Sequence, residues 1–164
     1  MGSAVHGHEQ ISRRLNSIFI IQEMTVIKSY LTFNGNCREA MTYYQQCLGG
    51  RLELQTIGES PMAEKMPYEM KDLILHASLK DGALELMGSD MVGDQGLLRG
   101  NNVSLLLDCE NEAQIRISYK KLSEGGEATH PLEETFWGAL FGDLKDKYGN
   151  QWLLHFDKNS KKQP

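Results

Sequence analysis

The chain has 164 residues, 40% of them hydrophobic, and a formal net charge of −5. That length fits one domain, or two small halves sharing a core. The charge argues against a nucleic-acid surface, and the longest apolar run, Ile18 to Ile21, is too short to cross a membrane. Three cysteines, Cys37, Cys47 and Cys109, are too few and of the wrong parity for a disulfide framework. They read as reduced thiols of a cytoplasmic protein.

Residues 1–23 show no clear period, and "SIFII" is too short for a signal-peptide core. They are expected to be a disordered leader before Met24. "TVIKSYLTF" then predicts a strand rich in β-branched and aromatic residues. Asn36 follows as an N-cap, with Glu39 three residues on in a capping-box arrangement. Ala40, Tyr43, Tyr44, Cys47 and Leu48 recur at helical spacing, and Gly49-Gly50 ends that helix. "RLELQTI" is the next strand. The loop 58–72 carries Met62, Met66 and Met70 four apart, a spacing that puts all three on one face of a short helical turn. Such a surface suits a flap or a partner contact. "LILHASLK" and "ALELMGS" form a hairpin about Asp81-Gly82.

The order then repeats. "NNVSLLLDC" is a strand, and 111–123 is a helix with Ile115, Tyr119 and Leu122 inward. Gly125-Gly126 stops it, three residues longer than the first helix. "EATHPLEE", "GALFGDL" and "NQWLLHF" are three more strands. Aligning Glu39-Ala40 with Glu112-Ala113 gives an internal offset of 73 residues. The expected organisation is therefore α+β: a first βαβββ module over 24–90, a second over 91–157, and a charged tail over 158–164. One helix cannot cover both faces of four strands, so the two halves form the natural unit, with mixed sheets curved around a cavity.

Two-residue hairpin pairing predicts Ser78 opposite Glu85 and His76 opposite Met87. Ile74, His76, Ser78, Ala83, Glu85 and Met87 then share one face, mixed in polarity and suited to a ligand cavity. Leu73, Leu75, Ala77, Leu79, Leu84 and Leu86 share the other, which belongs under a helix.

Four stretches carry a family resemblance: "YLTFNGNCREAMTYYQQCLGG", "LHASL", "LELMGSD" and the segment 136–152, "FWGALFGDLKDKYGNQW". The last matches the pattern FWG–x–x–FG–x–x–x–D–x–[FY]–G–x–x–W. Over Ile27 to Phe156 the chain resembles the vicinal oxygen chelate superfamily, the glyoxalase/bleomycin-resistance fold, and within it the PhnB-like branch. Members of that branch are often labelled demethylubiquinone methyltransferases, yet no strand here leads into a glycine-rich nucleotide loop. Within segment 136–152, Phe136 and Trp137 are expected to begin the penultimate strand near the cavity mouth. Gly138 and Gly142 admit a close neighbour, Asp146 to Gly149 turn the hairpin, and Trp152 sits in the helix-packed core with Leu154 and Phe156.

The resemblance implies four metal-ligand positions, one on the first and one on the last strand of each module. Carried over, they fall on Ser29, Glu85, Asn102 and Leu153. Only Glu85 is a good ligand, so no complete metal site is expected, and Glu85 is at most a weak metal candidate. It is expected instead to anchor a ligand, with Ser78, Asn102 and Ser29 donating to it. His76, Met87, Leu31, Phe33 and Trp137 are placed on the same cavity wall. His130 and His155, each alone in its strand, are assigned to solvent or packing.

Two functions follow from the resemblance. One is a homodimer that binds an unidentified small molecule, without nucleic-acid or membrane partners and without an assured cofactor. The other is a divalent-metal-dependent lyase, isomerase or dioxygenase built on Glu85 and unconventional partners.

Overall fold

The structure, a computed structural model, describes residues 26–159. The leader expected over 1–23 and most of the charged tail lie outside the described residues. The elements run β1 (Ser29–Thr32), α1 (Cys37–Leu48), β2 (Arg51–Thr56), β3 (Ile74–Asp81), β4 (Leu84–Ser89), β5 (Leu105–Asp108), α2 (Glu112–Ser123), β6 (Glu127–Glu134), β7 (Ala139–Lys145) and β8 (Gln151–Asp157). They form two four-stranded mixed sheets, ordered β1-β4-β3-β2 and β5-β8-β7-β6. In each, the first strand runs parallel to the last and the remaining pairs are antiparallel. This is the expected α+β architecture of two βαβββ modules.

Strand alternation decides which face is covered. In β2, Leu52 and Leu54 pack on the core while Arg51, Glu53 and Gln55 are exposed. In β8, Trp152, Leu154 and Phe156 are buried, as the sequence predicts. α1 lies on the first sheet and α2 on the second, and the two helices also touch each other. Lys121 joins them, its carbonyl accepting from the Tyr43 hydroxyl at 2.6 Å and its ammonium donating to the carbonyl of Gln46 at 2.9 Å. One continuous core results, with Phe33, Met41, Tyr44 and Leu79 from the first module and Ile115, Leu144, Trp152 and Leu154 from the second.

Several local expectations are corrected. Both helices have 12 residues, so the second is not longer. Asn36 makes no side-chain cap. Asp90, remote in sequence, accepts from the backbone N–H groups of Gly35 and Cys37, both at 2.9 Å, and so caps α1. Glu39 is thereby freed from a capping box and accepts from the Tyr148 hydroxyl at 2.7 Å. α2 is capped locally, Asn111 accepting from the Gln114 N–H at 2.8 Å. The loop 58–72 forms two three-residue 3₁₀ turns on either side of Pro67, so its three methionines do not share one continuous helical face.

Candidate functional site

The face of the first sheet opposite α1 is open. Three strand registers build it. Tyr30 lies beside Met87, Met87 beside Ser78, and Ser78 beside Glu53, making one row across four strands. The neighbouring row holds Glu85, Lys80 and Arg51. The hairpin register thus differs from the predicted one: Ser78 faces Met87, and Lys80 faces Glu85. The slip is two residues, which preserves the division of faces because side chains alternate with period two. Ile74 is the exception. A bulge between β2 and β3 sets Thr56 against Ile74 and Gln55 against His76, so Leu75 is the extra residue. Ile74 turns into the core and is 0% exposed.

Glu85 is held by cations rather than by hydroxyl or amide groups. Lys28 Nζ lies 2.5 Å from Oε2 and Lys80 Nζ 3.4 Å from Oε1. The hydrogen bond from Lys28 is the largest effect on its carboxyl; against the opposing effect of desolvation, and with the smaller hydrogen bond from Lys80, it holds the group below its ordinary value. Tyr30 and His76 stand together, ring centroids 5.9 Å apart and tilted 35°. Ser78 is 6% exposed, and its Oγ has no hydrogen-bond partner among the described residues. A buried hydroxyl without a partner costs about 1–3 kcal/mol.

The other expected wall residues lie elsewhere. The register places Ser29 beside buried Leu86, on the helix side. Leu31 packs on the core and Phe33 is 0% exposed within it. Asn102 precedes β5 and lines a cleft of about 330 Å³ with Tyr30, Leu31 and Thr32. Leu153 is on the open face of the second sheet, between Leu106 and Asp143. Phe136 and Trp137 occupy the β6–β7 turn, 98% and 57% exposed, their rings edge to face at 4.6 Å. Gly138, at φ 88°, completes that turn.

The metal positions fail to converge for a structural reason. Ser29 pairs with Leu86 as Leu105 pairs with Trp152, so the equivalent of Ser29 is Leu105 and not Asn102. By the same pairing Glu85 corresponds to Gln151, and Leu153 to Met87. Among the described residues no three of His, Cys, Asp and Glu come together to hold a metal ion. Glu85 is engaged by two lysines and Leu153 has no donor atom, so the four positions carried over do not make up the family's four-ligand site.

Sequence reading missed two His–Asp pairs on the open face of the second sheet. His155 Nδ1 lies 2.7 Å from Asp108 Oδ1, and His130 Nδ1 lies 2.7 Å from Asp143 Oδ2. Both pairs join neighbouring strands, a relation that only the register reveals. A further cleft, of about 340 Å³, runs between β1 and β5 and brings Lys28, Ser29 and Glu85 alongside Leu106 and Asp108.

Two mixed four-stranded sheets, each with one helix on its inner face, define the glyoxalase/bleomycin-resistance fold. A superfamily member from Sphaerobacter thermophilus, titled "Glyoxalase/bleomycin resistance protein/dioxygenase superfamily", shares that fold at 19% identity and a TM-score of 0.52, over 82% of this chain and 99% of its own. Residues 25–155 match the family described as 3-demethylubiquinone-9 3-methyltransferase, and the chain belongs to that family. Protein YjdN of Escherichia coli is 30% identical over 141 residues, 80% of this chain and 95% of its own. The crystal structure of protein PA1353 from Pseudomonas aeruginosa is 38% identical, with a TM-score of 0.71 over 82% of this chain and 98% of that one. A Bacillus cereus structure titled as a putative 3-demethylubiquinone-9 3-methyltransferase, PhnB protein, is 26% identical with a TM-score of 0.62, over 80% and 99%.

Proposed function

We propose that this PhnB-like protein binds a small organic molecule on the open face of the β1-β4-β3-β2 sheet, without a four-ligand metal site, and that it acts as a homodimer in the cytoplasm. The observation that carries this reading is Ser78. Its buried hydroxyl lacks a partner among the described residues, on a face that also carries Tyr30, His76 and Met87. Buried polar groups are satisfied in the great majority of cases, so an orphan beside an aromatic pair marks a place where another molecule completes the bonding.

Exposed Val26, Ile27, Val103 and Leu106 around the free edges of β1 and β5 support a second copy as partner. The three free cysteines, all buried, support a reducing compartment. Among the described residues no helix is long and apolar enough to cross a membrane.

The test is a thermal-shift and native mass-spectrometry screen of small organic molecules against the full chain, repeated with Ser78→Ala and Tyr30→Ala. Compounds that stabilise the wild type and lose that effect in either variant support the reading. Hits indifferent to both substitutions overturn it. Stoichiometric micromolar binding of zinc, nickel, manganese, iron or magnesium that Glu85→Gln abolishes replaces it with the metal-dependent enzyme.

A further inference from the structure

The open face of the first sheet differs in charge from the chain that carries it. The chain has a formal net charge of −5, yet here two lysines, Lys28 and Lys80, share the single carboxylate of Glu85. Arg51 and Glu53, next in the sheet, pair with each other at 3.0 Å and cancel. On this face of the sheet one positive charge is left over; Asp108 of the second sheet lines the same cleft as Lys28 and Glu85 but is paired with His155. A partly desolvated face with one surplus charge favours one opposite charge on its ligand.

The apolar part lies beside it. Lys28 immediately precedes β1 and reaches Glu85 on the open face, where Tyr30, two residues on, also lies. Tyr30 meets His76, and Met87 and Ser78 complete its row. Tyrosine, imidazole and thioether together make a surface on which a flat ring packs well. Ser78 Oγ is buried and unpartnered between the ring surface and the lysine row, so a carboxylate oxygen must press into the face to accept from it. Two clefts lie along the β1 edge. The one with Lys28 and Glu85 measures about 340 Å³, and the one with Tyr30 and Thr32 about 330 Å³. Each has room for a small molecule's end group.

We infer that the face selects a small aromatic monocarboxylate, one ring and one negative charge on a short tether, with the ring on Tyr30, His76 and Met87 and the carboxylate between Lys28, Lys80 and Ser78. The inference rests on the binding reading above and adds the ligand's chemical class. Glu85 has a defined part in it. By cancelling one of two lysine charges it favours a monoanion over a doubly charged phosphate.

The probes are phenylacetate, phenylacetamide and phenethylamine, titrated into the full chain while the Met87 methyl and His76 ring signals are followed by NMR. Phenylacetate is expected to shift both signals and to bind at least about tenfold more tightly than its amide, with affinity falling as salt is raised. Lys28→Met with Lys80→Met is expected to remove the preference for the acid. Glu85→Gln is expected to strengthen phenylacetate binding several-fold, and Ser78→Ala to weaken it. Amide or amine binding as tight as the acid, through the same signals, overturns the monocarboxylate class and leaves the binding face standing. Signals that none of the three probes moves overturn the class as well, while the library screen separately decides whether the face binds anything.

Discussion

The phenol of Tyr44, on α1 of the first module, donates a 2.6 Å hydrogen bond to Asp146 Oδ2 in the β7–β8 turn of the second. Asp146 is 3% exposed and also accepts from Trp152 Nε1 at 2.8 Å and from the backbone N–H groups of Tyr148 and Asn150, both at 2.9 Å. Both carboxylate oxygens are thus fully used, and the charge is compensated by donors on two modules. Tyr44→Phe is expected to lower unfolding free energy by about 1–3 kcal/mol, and Asp146→Ala by more, because it strands several buried donors at once. Denaturant unfolding of both variants measures this. An undiminished midpoint for Asp146→Ala would show that the modules do not depend on this clasp.

Alkaline pH is expected to weaken the fold over a defined window. Burial, reinforced by nearby Asp90, raises the Cys37 thiol from 9.0 to about 12, and burial with nearby Asp108 raises Cys109 from 9.0 to about 11. Burial and the carboxylate of Asp146 raise the Tyr44 phenol as well. Unfolded thiols lose protons near 9.0 while the folded ones keep them. The unfolded chain therefore binds fewer protons above that pH, and unfolding becomes progressively easier. Stability is complete below pH 9 and is lost as pH rises through about 11 and 12. Melting temperatures across this range test it, and Cys109→Ala is expected to flatten the decline.

The strands and their faces were legible wherever apolar and polar residues alternate, as in "RLELQTI" and "NQWLLHF". The Leu75 bulge was not, because no glycine or proline marks it. Its effect on Ile74 appears only once β2 is paired with β3. The face of β1 was legible and misassigned. Leu31 and Phe33 are the apolar members of an alternation whose polar members are Lys28, Tyr30 and Thr32. Alternation alone puts the first pair in the core, as the structure does, whereas the metal positions carried over by resemblance pointed the other way. Asn102 failed because the offset of 73 was set on the helices. The helices themselves begin 75 residues apart, at Cys37 and Glu112, and strand pairing gives 76 at the first strand because the β5–α2 connection is one residue shorter than the β1–α1 connection. Lys28 and Lys80 as partners of Glu85 depend on register, and so do both His–Asp pairs.

Asp90 ties three separate backbone segments together, accepting from Gly35 and Cys37 with one oxygen and from Ile74 with the other, all at 2.9 Å. Asp90→Ala is expected to destabilise by at least about 2 kcal/mol, since it leaves the α1 cap and a buried strand N–H unpaired. Hydrogen exchange is the sharper readout. Faster exchange is expected at Cys37 and Ile74 together, and unchanged exchange at either would show that Asp90 is dispensable there.

Gly126 is a position where a side chain has no room. A Cβ placed there would meet the carbonyl oxygen of Lys145 at 2.2 Å and the Asp146 backbone at 2.9 Å. Gly126→Ala is expected to cost roughly 1–3 kcal/mol through a forced backbone shift. Gly82→Ala, with nothing within 4 Å but φ +54°, is expected to cost less. Equal thermal shifts in the two variants would contradict this ranking.

The proposed homodimer carries a concentration-dependent expectation. The chain mass is 18.5 kDa, and sedimentation at micromolar concentration is expected to give twice that mass. Leu106→Glu with Ile27→Glu is expected to shift the species toward the monomer, because both side chains are exposed at the free edges of β1 and β5. A single monomeric species in the wild type would remove the dimer from the account.

The central claim is that the open face of the first sheet, organised around Ser78, is where this protein meets its ligand. A crystal structure of the full chain with the tightest hit from the library screen tests it most directly. The account predicts a ligand against Tyr30 and Met87, with one of its polar atoms within hydrogen-bond distance of Ser78 Oγ and Glu85 still held by Lys28 and Lys80. A ligand seated instead in the cleft that Arg38 and Tyr43 of α1 line with Lys147 and Tyr148, or bound to a metal ion through Glu85, would contradict it.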